Sequence, residues 1–416
     1  MSLLRARTAV SPVRPATRVS LAALPSVDAL VAIERPAEPM LCLRPAALSR
    51  GAAEFVTGFP GTVLYAVKCN PEPLLLQALW DGGVRHFDCA SAAEVALVRG
   101  MFPGAAIHFM HPVKSRPAIR EAWTRQGVRD FVLDDASELA KILEETGAGA
   151  AEGLGLVVRI APPPGGGALY DLSGKFGATL EAAVGLLRAA RPHAARLGIS
   201  FHVGSQCMDP LAYRRALALA GQAIRLAGVA IDVVDVGGGF PVAYPEIEPL
   251  PLGAYFAEIE AGFEALGLPG AELWCEPGRA LAAGGGSVVV QVQMRRGDTL
   301  YVNDGVYGTL SDAGAPGFRF PSRLIRPEGG AATTERGFSL FGPTCDSADF
   351  MRGPFLLPED VREGDWIEIG QLGAYGACLR TGFNGFDQTR LAEVRDRPML
   401  EVAAAEPAPP ELALAA

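Results

Sequence analysis

The chain has 416 residues, 49% of them hydrophobic and 20% charged, which is enough for a large core or two domains. Its formal net charge of −9 argues against nucleic-acid binding, which needs a basic face. Basic residues form no runs that would make a polybasic membrane patch, and no apolar stretch approaches a membrane span.

In chain order, the first segment carries Arg5, Arg7, Arg14 and Arg18 with no acid before residue 21, but Pro12 and Pro15 oppose a helix there. Residues 1–39 are therefore expected to be a disordered or strapping extension. A short apolar run follows at Met40–Leu43. From residue 62 a rhythm begins, in which β-rich apolar runs alternate with Ala/Leu/Arg-rich helical stretches. The runs are Thr62–Lys68, His86–Cys89, Ile107–Met110, Asp130–Leu133, Gly155–Ile160, Ile199–Val203, Val233–Val236 and Glu272–Glu276. Several are continuously hydrophobic, as strands buried on both faces are. About eight such units fit an α/β fold with a (β/α)8 barrel over residues 40–283; a doubly wound open sheet is the alternative. Past Gly284 the pattern alternates and Gly/Pro turns are dense, which predicts a mostly β domain over 284–402. The Met40–Leu43 run is expected to give that domain a strand. The Ala/Pro/Glu-rich tail, 403–416, is expected to be disordered.

Seven scattered cysteines include no CxxC pair and no Cys/His ligand spacing, so no metal site is expected. They read as thiols in a reducing cytoplasm.

The active site of a barrel collects at the C-terminal ends of its strands. Lys68, one of only four lysines, closes the first run. An amine there is placed to form a Schiff base with a carbonyl cofactor. Asp88, Ser91 and Glu94 follow the second run, His111 and Lys114 the third, and Arg159 ends the fifth. The last three ends carry His202 and Ser205, the triplet Gly237, Gly238 and Gly239, and Glu276 with Gly278 and Arg279. The glycines allow close backbone approach to phosphate oxygens. Ser205 and Arg279 add a hydroxyl and a charged fork. Glu276 suits a pyridine nitrogen that must stay protonated, and His202 an aromatic ring. Taken singly, a glycine triplet is often a turn and a strand-end histidine often structural. Together they describe equipment for a phosphorylated aromatic cofactor.

The motifs Tyr65–Asn70, Phe87–Ser91, Ser173–Gly177, Phe201–Gln206, Gly237–Pro241 and Glu276–Arg279 occur in that order. They are followed by Tyr301–Gly308, Gly342–Ser347, Gly373–Tyr375 and Phe383–Phe386. From about residue 40 to 400 the chain resembles the fold-type III pyridoxal-phosphate (PLP) decarboxylases of the ornithine/diaminopimelate/arginine family, its ornithine branch above all. The resemblance implies that Lys68 bonds the cofactor aldehyde, Glu276 pairs with the ring nitrogen and His202 stacks on the ring. It implies that Ser205, the glycines, Arg279 and Tyr375 hold the phosphate, while Asp88, Glu94 and Arg159 support the ring and lysine side. Cys345 would return a proton after CO2 leaves. Asp346 and Asp312 would bind the distal ammonium of a diamino acid, with Tyr375 and Phe383 also lining the substrate. It further implies a head-to-tail homodimer in which Cys345 and Asp346 serve the neighbouring subunit and Lys175 contributes to the interface.

The expected reaction is decarboxylation of L-ornithine to putrescine in polyamine biosynthesis, with dual lysine/ornithine specificity as the alternative. Diaminopimelate ranks third, since those enzymes carry Cys-Glu-Ser where this chain has Cys345-Asp346-Ser347. A non-catalytic regulatory homologue would lack the lysine or the cofactor ligands, and an alanine-racemase-like enzyme would lack the glutamate of Glu276–Arg279. The segment after Gly308 is shorter than in the eukaryotic ornithine enzymes, so Asp312 sits in a Ser-Asp-Ala-Gly sequence that also suits a simple turn.

Overall fold

The computed structural model describes Thr17–Arg18 and residues 22–400, apart from 148, 163–166, 171, 173 and 315–317. The tail 403–416 and most of the first 21 residues lie outside the described residues, as does Ser173 of the Ser173–Gly177 motif. Among the described residues no helix is long and apolar enough to cross a membrane.

Eight parallel strands close into a barrel in strict chain order. They are Thr62–Ala66, His86–Cys89, Ala106–Phe109, Asp130–Leu133, Gly155–Arg159, Arg196–Ser200, Val233–Asp235 and Glu272–Cys275. Closure is made by the eighth strand on the first, with Trp274 opposite Thr62 and Cys275 opposite Val63. The strands read as continuous apolar runs because both faces are covered. Val63 and Tyr65 join the core under the helices, whereas Leu64 packs with Val233 and Trp274 inside the barrel. Four of the helices between the strands start on side-chain caps, Ser91, Ser115, Asp135 and Thr179, that satisfy an early amide. Ser91 accepts from Glu94 N at 3.2 Å and Asp135 from Ser137 N at 2.8 Å. Gly147 and Gly228 end two of them in the left-handed conformation, at φ of 58° and 66°.

The lower end of the barrel is plugged by charge. Asp130 takes two hydrogen bonds from Arg196 Nη2, both 2.7 Å, and lies 3.0 Å from His108 Nδ1. Burial raises the Asp130 pKa, but His108 and Arg196 outweigh it and hold the carboxyl down to about 2.

Several strands stop short of the ends expected from hydrophobicity. The first ends at Ala66, and the chain then tightens into a 3₁₀ turn, Val67–Cys69, that carries Lys68. The sixth runs Arg196–Ser200 rather than Ile199–Val203, and Gly204, at φ 98°, lies in the loop beyond it. The eighth ends at Cys275, which leaves Glu276 outside the ladder. Apolar character continues past each strand because these loops are themselves buried beneath the upper rim, Val67 and Cys69 being fully covered.

A second, nine-stranded mixed sheet follows the barrel. Its main path is Thr17–Arg18, Arg390–Glu393, Met40–Leu43, Gly286–Arg296, Thr299–Val302, Glu335–Phe341 and Phe350–Pro358. Trp366–Ile369 joins Gly286–Arg296 to Ser322–Ile325. The Met40–Leu43 strand lies in this sheet, between Arg390–Glu393 and Gly286–Arg296. Helix Val27–Glu34 covers one face, packing Val27, Leu30 and Val31 against Met40, Cys42, Val289 and Trp366. A buried guanidinium fastens the junction: Arg44 bonds Glu368 at 2.8 Å, Ser287 at 2.9 Å and Asp396 at 3.0 Å. Each buried charge there has its counter-charge, which is the condition for tolerating it.

Candidate active site

The upper rim gathers a lysine and four carboxylates. Lys68, on its 3₁₀ turn, is ion-paired to Asp88 at the end of the second strand. Asp88 is fully buried, whereas the lysine side chain keeps 41% exposure. Solvent therefore screens the pair, and the amine remains accessible. Burial alone would lower the Lys68 pKa, but Asp88, Glu276 and Tyr375 outweigh it and raise it. The other Asp88 oxygen, Oδ1, is buried without a partner.

Glu276 lies just past the eighth strand, and its amide donates to Gly237 O at 2.8 Å. Burial, then the nearby Asp235 and Asp88, push its carboxyl well above the usual range. Asp235 closes the seventh strand fully buried and accepts from Gly237 N at 2.8 Å. Burial raises it to about 6, and its Oδ2 has no partner. A cation set against this wall would let these crowded carboxyls ionise, and a protonated ring nitrogen would be such a cation. Asp235 was not singled out from the sequence. The signal was present, as a carboxylate between an apolar run and a glycine triplet.

Glu94, in the first turn of helix Ala92–Met101, reaches back to accept from Ala90 N at 2.6 Å. Burial lifts its pKa to about 7 despite that bond. His202 uses Nδ1 to accept from Gly204 N at 3.0 Å. Burial, with Arg159 and Lys68 adding like charge, pushes it down to about 3, so the imidazole is neutral at pH 7. Arg159 ends the fifth strand with its guanidinium 5.8 Å from the Phe176 ring. Lys175 sits over the same ring, at 5.0 Å.

The glycine triplet forms a cradle that side chains would fill. A Cβ on Gly237 would lie 2.2 Å from Phe201 O, on Gly238 2.6 Å from Glu276 O, and on Gly239 2.4 Å from Gly204 O. Gly237 and Gly239 also need positive φ, 67° and 106°. Ser205 opens the short strand Ser205–Cys207 beside them, where Cys207 N donates to Gly239 O at 2.9 Å. Gly278 packs on Cys69, so that a Cβ would stand 2.9 Å from the cysteine Cβ. Arg279 is buried next to it, with rings of Tyr375, Phe318, Tyr170 and Tyr244 5.1–6.0 Å from its guanidinium carbon. Its Nε is buried without a partner. Tyr375 is anchored by its amide to Cys69 O at 3.0 Å, which ties the second domain to the lysine turn.

The substrate-side residues divide into two places. Asp312 was expected to face a substrate ammonium, but here its two oxygens bond Arg279, Nη2 to Oδ1 at 3.1 Å and Nη1 to Oδ2. Cys345, Asp346 and Phe383 form a separate cluster on the β domain. Asp346 accepts from Tyr307 OH at 2.6 Å and from Ala348 N at 3.0 Å, and both bonds lower its pKa. Phe383 packs on Tyr307, with ring centroids 5.2 Å apart. Cys345 is exposed, and its amide donates to Asn384 at 3.1 Å. Cys345 and Asp346 line an open groove of about 470 Å³ with Tyr301 and Phe341. Among the described residues no hydrogen bond, ion pair or ring contact joins this cluster to Lys68 and its carboxylates.

Residues 46–283 match the family model for the pyridoxal-binding domain of pyridoxal-dependent decarboxylases. Lysine/ornithine decarboxylase of Selenomonas ruminantium is 33% identical over 335 residues, covering 78% of this chain and 81% of that protein. Ornithine decarboxylase of Panagrellus redivivus is 33% identical over 352 residues, covering 78% of each. Among solved structures, the Paramecium bursaria Chlorella virus arginine decarboxylase bound to agmatine superposes with TM-score 0.77 at 28% identity, over 88% of this chain and 98% of that one. The Vibrio vulnificus lysine/ornithine decarboxylase with putrescine gives TM-score 0.75 at 28% identity, over 89% and 99%. The residues present fit the cofactor. An accessible amine, unpartnered carboxylate oxygens, a side-chain-free cradle and a buried guanidinium with an open Nε are the groups that PLP would use. The chain therefore belongs to the ornithine/lysine/arginine family of fold-type III decarboxylases, enzymes that work with pyridoxal phosphate.

Proposed function

We propose that this enzyme decarboxylates L-ornithine to putrescine and CO2 as a head-to-tail homodimer, each site combining one subunit's Lys68 rim with its partner's Cys345–Asp346 groove. The observation that carries the reading is the separation of these two clusters within one chain, each chemically incomplete alone. When bound, PLP supplies an electron sink that accepts the electron pair left as CO2 departs.

The protein's part is positioning and proton handling. Lys68 Nζ is the amine that would hold the cofactor, and Asp88 is the acceptor that keeps this amine in place. Glu276, with Asp235 behind it, keeps a proton on the ring nitrogen. His202 is neutral and covers the ring face without adding a competing charge. Arg159 and Glu94 brace the lysine side. Ser205, Gly237–Gly239, Gly278, Arg279 and Tyr375 hold the phosphate. Cys345 Sγ delivers a proton to the substrate Cα after CO2 leaves. Asp346, held by Tyr307, receives the distal ammonium, with Phe383 walling the same end.

Ornithine heads the reading because relatives at 31–33% identity include ornithine and lysine/ornithine decarboxylases. Lysine is the second substrate, since one methylene changes binding by only about 1–3 kcal/mol. The test is a parallel product assay with ornithine, lysine, arginine and diaminopimelate in the presence of PLP. Putrescine from ornithine should form with the highest kcat/KM. Preferred cadaverine formation, or no amine at all, overturns the assignment.

A further inference from the structure

We propose that Asp312 is the resident counter-ion of the phosphate-binding Arg279 and not a carboxylate for the substrate. The inference rests on PLP as the cofactor and deepens the account of that same site.

The guanidinium donors decide it. Arg279 carries five N–H hydrogens on two usable forks. Asp312 occupies the end fork, Nη1 to Oδ2 and Nη2 to Oδ1, and Tyr244 OH takes the outer hydrogen of Nη1 at 2.6 Å. What is left is one edge, the Nε–H and the remaining Nη2–H, and Nε is buried without a partner. That edge is a complete bidentate fork of the kind that phosphate takes. Arg279 can thus hold Asp312 and a phosphate oxygen pair together, with no exchange between them.

Asp312 is itself enclosed. Its side chain and that of Arg279 are each 5% exposed, and Tyr170 OH stands 3.5 Å from Oδ1. A carboxylate whose two oxygens are both taken by a buried guanidinium leaves that partner uncompensated if it turns to a substrate ammonium. The distal end of the substrate pocket is then served by one carboxylate, Asp346, in place of two.

The sign of the expected effect follows from the geometry. The four rings and Tyr244 OH still cage Arg279 when the carboxylate charge is removed. Orientation therefore changes little, while the repulsion between Asp312 and the phosphate, acting across the guanidinium, disappears. Asp312→Asn should bind PLP about tenfold more tightly. Binding of unphosphorylated pyridoxal should be unchanged, and the protein without cofactor should melt at a lower temperature.

The experiment is fluorescence titration of cofactor-free wild type and Asp312→Asn with PLP and with pyridoxal, alongside KM for ornithine. Tighter PLP binding, unchanged pyridoxal binding and an ornithine KM within about twofold of wild type support the proposal. Unchanged or weaker PLP binding, or a KM for ornithine raised tenfold or more, overturns it. Should Asp312→Asn fail to fold, Asp312→Asn/Arg279→Gln provides the second reading. A counter-ion pair predicts that the double variant melts above Arg279→Gln, which strands a buried carboxylate. A double variant that melts no higher overturns the pairing. If wild type binds no PLP, the cofactor assignment fails instead, so the two failures are distinguishable.

Discussion

Gly239→Ala tests the phosphate cradle through a single methyl group. Gly239 has φ 106°, where an L-residue is strained by about 1–2 kcal/mol. The added Cβ would also meet Gly204 O at 2.4 Å and Val203 Cγ2 at 2.9 Å. A carbonyl cannot rotate away as a side-chain tip can, so the Gly204 loop or the triplet itself must move, at a further cost of about 1–3 kcal/mol. The sum, about 2–5 kcal/mol, falls on stability, on cofactor affinity or on both. The assay is urea unfolding with and without PLP, together with PLP titration of the cofactor-free protein. Gly253→Ala is the control. It lies in the first turn of helix Leu252–Glu264 with nothing within 4 Å of its Cβ position, and it should change stability by less than about 1 kcal/mol. A Gly239→Ala protein that matches wild type in both stability and PLP affinity would refute the cradle argument.

Two further predictions follow from the other parts of the site. Lys68→Ala and Cys345→Ala should each be nearly inactive, but mixing the two should restore about a quarter of the activity, because random re-pairing of dimers rebuilds one intact site in half of them. No restoration would place both residues in one subunit's site. Asp235→Asn should gain stability relative to wild type as pH rises from 4 to 7. The folded-state pKa of Asp235 is raised to about 6, above its unfolded value, so the folded form holds its proton longer and the wild type loses stability through that window. The difference should reach roughly 3 kcal/mol by urea unfolding across the pH range. A difference that is flat with pH would mean that Asp235 ionises normally.

The barrel was legible because parallel strands covered on both faces must be apolar throughout, and the eight runs stand out against the helices between them. Strand ends were less legible, since apolar residues beyond them, such as Val67 and Cys69, are as buried as the strands they follow. Lys68, Asp88, His202, Glu276 and Arg279 were readable as strand-end polar residues, a local property. Asp235 has the same local signature but was overlooked beside the glycines. The partner of Asp312 was not readable, because Arg279 lies 33 residues earlier and a Ser-Asp-Ala-Gly segment looks the same whether its aspartate faces solvent or a buried guanidinium. The order of the second sheet was hidden for a related reason. Its neighbours, such as Met40–Leu43 and Arg390–Glu393, are brought together by tertiary packing across nearly the whole chain.

The most direct test of the account is to reduce the PLP-loaded protein with borohydride and map the trapped adduct by peptide mass spectrometry. The chain offers four lysines, Lys68, Lys114, Lys141 and Lys175, so the answer is unambiguous. Lys114 is buried against Glu138 at 3.0 Å, and Lys141 shares that carboxylate, which leaves neither placed for the aldehyde. The account predicts the pyridoxyl group on Lys68 alone. An adduct on any other lysine, or none at all, would contradict it.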